Sequence, residues 1–278
     1  MSSGTVTLER RGPVAVLTFD RPERHNALNG VMWRALAERV AEVAADLPRA
    51  LVVTGAGERA FCAGQDVNPD NPQIAPLMRS IQTGDPGPVS AFLAELRAAV
   101  DALVGLPVPV IAALNGLAYG GGAEIAARLD LRVMDPGARI CFSEVRLGLM
   151  PDLGGGPALA RLIGPARAAD LILTARQVEA PEALALGLVN RISAPGGALA
   201  EALALAEAIA ANGPRAVRAS LAVLRRSGDL PMAEALALEE ASAVALITSG
   251  ECAVGIPAFL ARRLPSFPDP SDGTEQPA

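Results

Sequence analysis

The chain has 278 residues, 51% hydrophobic and 19% charged, so it is long and apolar enough to bury a sizeable core. A net charge of −6, a pI near 5.0 and 3% aromatic residues argue against a nucleic-acid partner, a base-stacking surface and an anionic membrane surface. All 24 basic residues are arginine, which excludes a Schiff-base lysine and a lysine-bearing phosphate loop.

In chain order, residues 4–11 and 14–19 read as two short strands joined at Arg11-Gly12-Pro13. The polar segment DRPERHNALN (20–29) follows, with Asn26 as a helix cap. Leu28, Met32, Leu36, Val40 and Val43 then recur at helical spacing up to Pro48. Residues 50–54 (ALVVT) form an apolar strand, and Gly55 to Cys62 a loop. After FCAGQD (61–66), residues 67–90 are rich in Pro, Asn, Gly and Asp and read as a mobile loop. Residues 91–104 carry one helical face, 130–134 a strand, and 138–150 a strand and loop containing Glu144. A glycine turn, PDLGGG (151–156), leads into helices at 157–163 and 166–174. Beyond Gly196-Gly197 the pattern is wholly helical, over 198–211, 214–226, 232–248 and 251–263.

The stretch PVPVIAALNGLAYGGGAEI (107–125) is the most informative. It is an uncharged strand broken at Asn115-Gly116, then three glycines and a glutamate. A strand ending in such a turn and opening a helix delivers bare backbone N–H groups to one point, where an oxyanion or phosphate can sit. The uncharged run 102–123 is long enough for a membrane span, but its prolines, Asn115 and five glycines point to strand and turn instead. His25 is the single histidine, which leaves little for a histidine-ligated metal or a Ser-His-Asp site. Cys62, Cys141 and Cys252 are too widely spaced for a disulfide or zinc pattern. They suit a cytoplasmic location, and MSSGTVTLERR has no signal-peptide core. Alternating strands and helices up to about residue 195 indicate an α/β layer, and the helices after it carry an apolar face that needs a neighbour.

Five motifs in order, DRPERHNALN (20–29), AFCAGQDV (60–67), ALNGLAYGGGAEIAARLDLRV (113–133), EVRLGLMPDLGGGPALARLIG (144–164) and GIPAFLARRLPSF (255–267), resemble the crotonase superfamily, the enoyl-CoA hydratase/isomerase family. The pattern is most similar to bacterial enoyl-CoA hydratases. The resemblance implies a ββα spiral core with two roughly perpendicular sheets over residues 1–195, and a helical region at 196–264 that makes trimers or hexamers. It leaves a tail at 265–278, partly disordered. It implies an acyl-CoA thioester as substrate, with no metal and no cofactor beyond the substrate's CoA.

By the same resemblance, Gln65 N–H and Gly121 N–H form an oxyanion hole for the thioester carbonyl. Glu124 orients and deprotonates water, and Glu144, 20 residues on, protonates Cα. Asp152 complicates this assignment, because isomerase branches, including the dienoyl-CoA and phenylacetate-pathway types, carry a catalytic aspartate there. Arg21 and Arg24 fall in the CoA-binding loop. Ala63, Gln65 and Asp66 fall in the segment that meets adenine through its backbone. Arg262 and Arg263 lie in a terminal helix able to reach a neighbouring subunit's CoA. The alternatives are an enoyl-CoA or dienoyl-CoA isomerase using Asp152 with Glu144, and a non-catalytic acyl-CoA-binding homologue. A Rossmann enzyme lacks its Gly-x-Gly-x-x-Gly here, and a Clp-type serine peptidase lacks a core histidine.

Overall fold

The computed structural model describes residues 4–68 and 71–269. Strands β1 (Thr5–Arg11) and β2 (Val14–Asp20) form an antiparallel hairpin, turned at Gly12. Helix α1 (Gly30–Ala45) follows and buries Met32, Trp33, Leu36, Val40 and Val43, the face read from the sequence. Its cap is Asn29, whose side chain accepts from Val31 and Met32 N–H at 3.1 Å, rather than Asn26. Asn26 is instead fully buried with φ +57. Its amide accepts from Arg21 N–H and donates to the Ala56 and Ala60 carbonyls. An asparagine suits that position because it tolerates left-handed backbone while its side chain satisfies interior polar groups.

From here the chain repeats one unit: a strand in a large sheet, a strand in a small sheet, then helix. The first unit is β3 (Ala50–Gly55), β4 (Ala60–Cys62), and helices α2 (Ala75–Thr83) and α3 (Gly87–Val104). The second is β5 (Val110–Leu114), β6 (Leu117–Tyr119) and α4 (Gly121–Arg128). The third is β7 (Leu131–Met134), β8 (Arg139–Cys141) and α5 (Gly155–Ile163). Helix α6 (Pro165–Thr174), β9 (Val178–Glu179), α7 (Ala180–Leu186) and β10 (Arg191–Ile192) complete the sheets. The large sheet runs β1-β2-β3-β5-β7-β10, parallel beyond the opening hairpin, and the small one β4-β6-β8-β9. Strands β3 and β5 are buried along their whole length, which is why they read as unbroken apolar runs rather than alternating ones.

The crossing from β5 to β6 explains the Asn115-Gly116 break. The Asn115 amide donates to the Gly55 and Gly57 carbonyls, tying this crossing to the equivalent one after β3. A Cβ at Gly116 would lie 2.4 Å from the Arg59 carbonyl carbon, so only glycine fits. The uncharged run 102–123 is thus helix end, two strands and a turn, and no single helix among the described residues is long and apolar enough to cross a membrane.

The sequence reading of 67–90 as a loop is corrected. Residues 71–104 are mostly helical: a 3₁₀ turn at Pro72–Ile74, then α2 and α3. The Asn71 side chain caps that turn, prolines stand in the first turns, and Gly84 at φ +70 ends α2. The residues that looked like loop punctuation are helix starts and stops.

The first helix of the region read as 196–264 packs on the large sheet. Helix α8 (Ala198–Ala210) lays Ala202, Ala206 and Ala210 on the large sheet, against Val16, Val52, Ile111, Ala113 and Val133. It closes the second hydrophobic layer of the core. By contrast, α9 (Pro214–Ser227), α10 (Met232–Thr248) and α11 (Cys252–Leu260) bury only Pro214 and Ala258. Residues 265–269 dock on Arg49, which holds the Phe267 carbonyl and Asp269. The rest of the expected loose tail, 270–278, lies outside the described residues.

Candidate active site

Two loops, 56 residues apart in sequence, press backbone against backbone beyond the ends of β4 and β6. Gly64 has φ +80, and a Cβ there would lie 2.7 Å from Gly121 N. A Cβ on Gly121 would lie 3.8 Å from Gln65 N, and one on Gly122 only 2.0 Å from the Cys62 carbonyl oxygen. A side chain at Gly64 or Gly122 would wedge the loops apart. The first loop is pinned by Leu28 N–H to the Gly64 carbonyl and Ala63 N–H to the His25 carbonyl, the second by Gly120 N–H to the Cys141 carbonyl. The N–H groups of Gln65 and Gly121 are thereby brought together, the latter at the first residue of α4 where the helix dipole adds positive potential. The Gln65 side chain faces away from this pairing and accepts from the Trp33 indole at 2.7 Å.

Glu124 follows in the first turn of α4 and is 1% exposed. Its Oε2 accepts from Leu153 and Gly155 N–H, both at 2.9 Å, and its Oε1 from Asp152 N–H at 3.3 Å. Gly155 must be glycine, because a Cβ there would stand 2.3 Å from Glu124 Cγ. Burial pushes the Glu124 carboxyl up to about 7; the Gly155 N–H pulls against this, and the neighbouring Glu144 and Asp152 charges add to it.

Glu144 begins a 3₁₀ turn after β8 and is 8% exposed. Both of its carboxyl oxygens are buried without a hydrogen-bond partner. Burial is the main cause that raises its proton affinity, and the Asp152 charge adds to it. The Glu124 carboxyl lies close enough to act on Glu144 in the opposite direction, although no hydrogen bond of good geometry joins them. The Glu144 carboxyl also faces the glycine turn, since a Cβ on Gly120 would be 3.7 Å from its Oε1. Asp152 is half-buried; burial raises it and the Arg97 charge lowers it. Three carboxyl groups and two backbone donors therefore share one site, and burial favours proton sharing among the acids. No group of three or more His, Cys, Asp or Glu among the described residues is arranged to hold a metal ion.

The arginines separate. Arg21 is buried, pairs with Asp66 at 2.6 Å and donates to the Ala27 carbonyl, so its guanidinium and the Asp66 carboxylate are committed to each other. Arg24 is exposed on the 3₁₀ turn Pro22–Arg24, and Ala63 sits half-buried in the loop that His25 pins. Arg262 and Arg263 are exposed beyond α11. The segment they lead into docks on Arg49, ahead of β3, whereas the site lies past the far end of that strand. Within one chain they do not join the carboxylates. The sequence reading missed the seat of Glu124, the N–H groups of Asp152, Leu153 and Gly155; the glycine run 154–156 was the available signal.

These features define an α/β protein with a ββα spiral and a buried acid site beside paired backbone donors. The enoyl-CoA hydratase/isomerase family model matches residues 9–270, and the chain belongs to that family. It is 34% identical over 267 residues to a probable enoyl-CoA hydratase of Rhizobium meliloti, covering 96% of this chain and 99% of the relative. It is 36% identical over 240 residues to a short-chain-enoyl-CoA hydratase of Clostridium acetobutylicum, covering 86% and 88%. The crystal structure of an enoyl-CoA hydratase from Bacillus anthracis superposes with a TM-score of 0.85 at 29% identity, covering 95% of this chain and 98% of that one.

Proposed function

We propose that the chain is an enoyl-CoA hydratase, adding water across the trans-2 double bond of an enoyl-CoA thioester to give a 3-hydroxyacyl-CoA. The observation that carries this reading is the juxtaposition of two buried carboxyls, Glu124 and Glu144, beside the paired N–H groups of Gln65 and Gly121. As the water oxygen bonds to Cβ, the π electrons move toward the thioester oxygen, which becomes enolate-like. The two N–H groups stabilise that charge, and each such donor is typically worth ~3 kcal/mol of barrier. Glu124, its carboxylate aimed by three N–H donors, takes a proton from water. Glu144, whose hold on a proton is strengthened by burial, delivers a proton to Cα. Two neighbouring carboxyls, both with proton affinity raised by burial and Glu124 up to about 7, can exchange the roles of base and acid that general acid–base catalysis needs.

CoA phosphates would meet Arg24, exposed beside the loop, and the backbone of Ala63, Gln65 and Asp66 would face the adenine. Arg21, held by Asp66, would shape that loop from inside. Arg262 and Arg263 would serve a neighbouring subunit, which accords with a homotrimer or a hexamer of paired trimers formed through α9–α11.

A second reading, a double-bond isomerase, rests on Asp152, whose half-buried carboxyl acts on both glutamates. Single changes Glu124→Gln, Glu144→Gln and Asp152→Asn, assayed with crotonyl-CoA by loss of the conjugated enoyl-thioester absorbance and separately for double-bond migration, decide between them. A hydratase loses hydration with either glutamate change and keeps most of it with Asp152→Asn. If Asp152→Asn abolishes turnover, the isomerase reading replaces it. If CoA esters bind and none turns over, the chain is a non-catalytic acyl-CoA-binding homologue.

A further inference from the structure

The turn that seats Glu124 is gripped a second time, from the same helix. Arg128, one helical turn after Glu124 in α4, donates from Nη1 to the Leu153 carbonyl at 2.8 Å. Its Nη2 pairs with Asp101 of α3 at 2.5 Å. Gly154 lies on the guanidinium: a Cβ there would be 3.2 Å from Arg128 Cδ and Nε, and Gly154 itself has φ +89. Glu124 thus holds the N–H groups of Asp152, Leu153 and Gly155 while Arg128 holds a carbonyl of the same turn. The clamp borders a cavity of about 330 Å³ that Arg97 and Arg161 also line. We propose that Arg128, braced by Asp101, is a positioning residue for the reaction, fixing the Asp152–Gly155 turn whose N–H groups orient the Glu124 carboxylate. The proposal rests on the hydratase reading of Glu124.

The titratable groups around Glu124 are Glu144 and Asp152, which raise it, with Arg97 of α3 acting on Asp152. Strands β4 and β6, packed on α4, bring Cys62, a neutral thiol pushed up to about 12 by burial, and Tyr119. Helix α5 brings Arg161, which pairs with Asp229. The Leu153 and Gly155 N–H groups favour the ionised form of Glu124. Loosening the turn weakens them, raises the proton affinity of Glu124, and moves the acid limb of hydration to higher pH.

The experiment measures kcat/KM for crotonyl-CoA against pH in wild type, Arg128→Met, Arg128→Lys and Asp101→Asn. The Met variant is expected to move the acid limb up by about one pH unit, the size of a lost hydrogen bond to a carboxylate. Its rate should converge on wild type at alkaline pH. Lysine keeps the charge but not the two-pronged grip, so it should restore less than half of the shift. Full restoration by lysine assigns the effect to charge alone and overturns the proposal, as does an unmoved limb in a folded Met variant. Should the Met variant fail to fold, unmoved limbs in both Arg128→Lys and Asp101→Asn overturn it. An arm independent of turnover is a ¹³C titration of the Glu124 carboxyl in ¹³C-glutamate-labelled protein, assigned by its loss in Glu124→Gln. A raised midpoint in the Arg128 variants supports the clamp even if wild type hydrates nothing, a result that would count only against the hydratase reading.

Discussion

In the ββα core, carboxylates are inside and backbone donors turn to meet them; in α9–α11, leucines, isoleucines and a phenylalanine face outward. Glu124 is 1% exposed, whereas Phe259 is 81%, Leu224 73% and Ile247 63%. Burying a carboxylate is costly unless hydrogen bonds or protonation compensate it, and the site uses both. Leaving such a large apolar face in water is also unfavourable, and nothing among the described residues covers it. The contrast teaches that the core hides its apolar and acidic groups within one chain, while the terminal helices leave an apolar face exposed, which we propose a second copy covers.

The largest expected effect falls on the loop contact. Gly64→Ala places a methyl group 2.7 Å from Gly121 N at φ +80, forcing the two donors apart. Hydration kcat should fall by about 100-fold or more, the loss typical of a missing oxyanion donor. An unchanged kcat would break the link between this contact and catalysis.

Next is the terminal face. Leu236→Glu and Phe259→Glu, both at exposed positions of α10 and α11, should turn an oligomer into monomers while leaving the core folded. Light scattering after size exclusion at micromolar concentration reads this; a wild type that is already monomeric would sink the idea that a second copy covers the face.

A smaller effect sharpens the electrostatics of the core. Asp152→Asn removes one charge that raises Glu124, so the acid limb of kcat/KM should drop below the wild-type value near 7 by less than a unit. Glu124 itself also affects stability. Its folded affinity for a proton exceeds the unfolded one, so stability is full below about 4.5 and declines as pH rises through about 7. Glu124→Gln should remove that decline, worth up to about 3 kcal/mol, so its thermal midpoint changes less between pH 5 and pH 8. A wild-type midpoint that rises over that window would contradict the assigned sign. The smallest effect is at the tail, where Asp269 is 77% exposed opposite Arg49: Asp269→Asn should shift denaturant stability by less than about 1 kcal/mol.

Much of the core was legible because its signals are local. Unbroken apolar runs give β3 and β5, and the spacing Met32, Leu36, Val40, Val43 gives the buried face of α1. The Asn115-Gly116 break and the three glycines marked the crossing and the start of α4. What misled were residues whose local and tertiary uses differ. Asn26 looked like a cap but serves as an interior amide, and the Pro, Asn and Gly of 71–90 bound helices rather than fill a loop. Alanine-rich α8 looked like its neighbours, yet small side chains at every fourth position let it lie flat on the sheet.

By itself the sequence determined the α/β class, the main strands and the glycine turns, because periodicity and backbone freedom are properties of short stretches, and its resemblance to a known family singled out Glu124, Glu144 and Asp152. Only the tertiary structure decided that Gly64 meets Gly121, that Glu124 is seated by residues 152–155, and that Arg21 turns inward to Asp66. Those outcomes depend on contacts between residues 28 to 57 positions apart, set by how the two sheets stack and by which charges burial leaves in need of a partner.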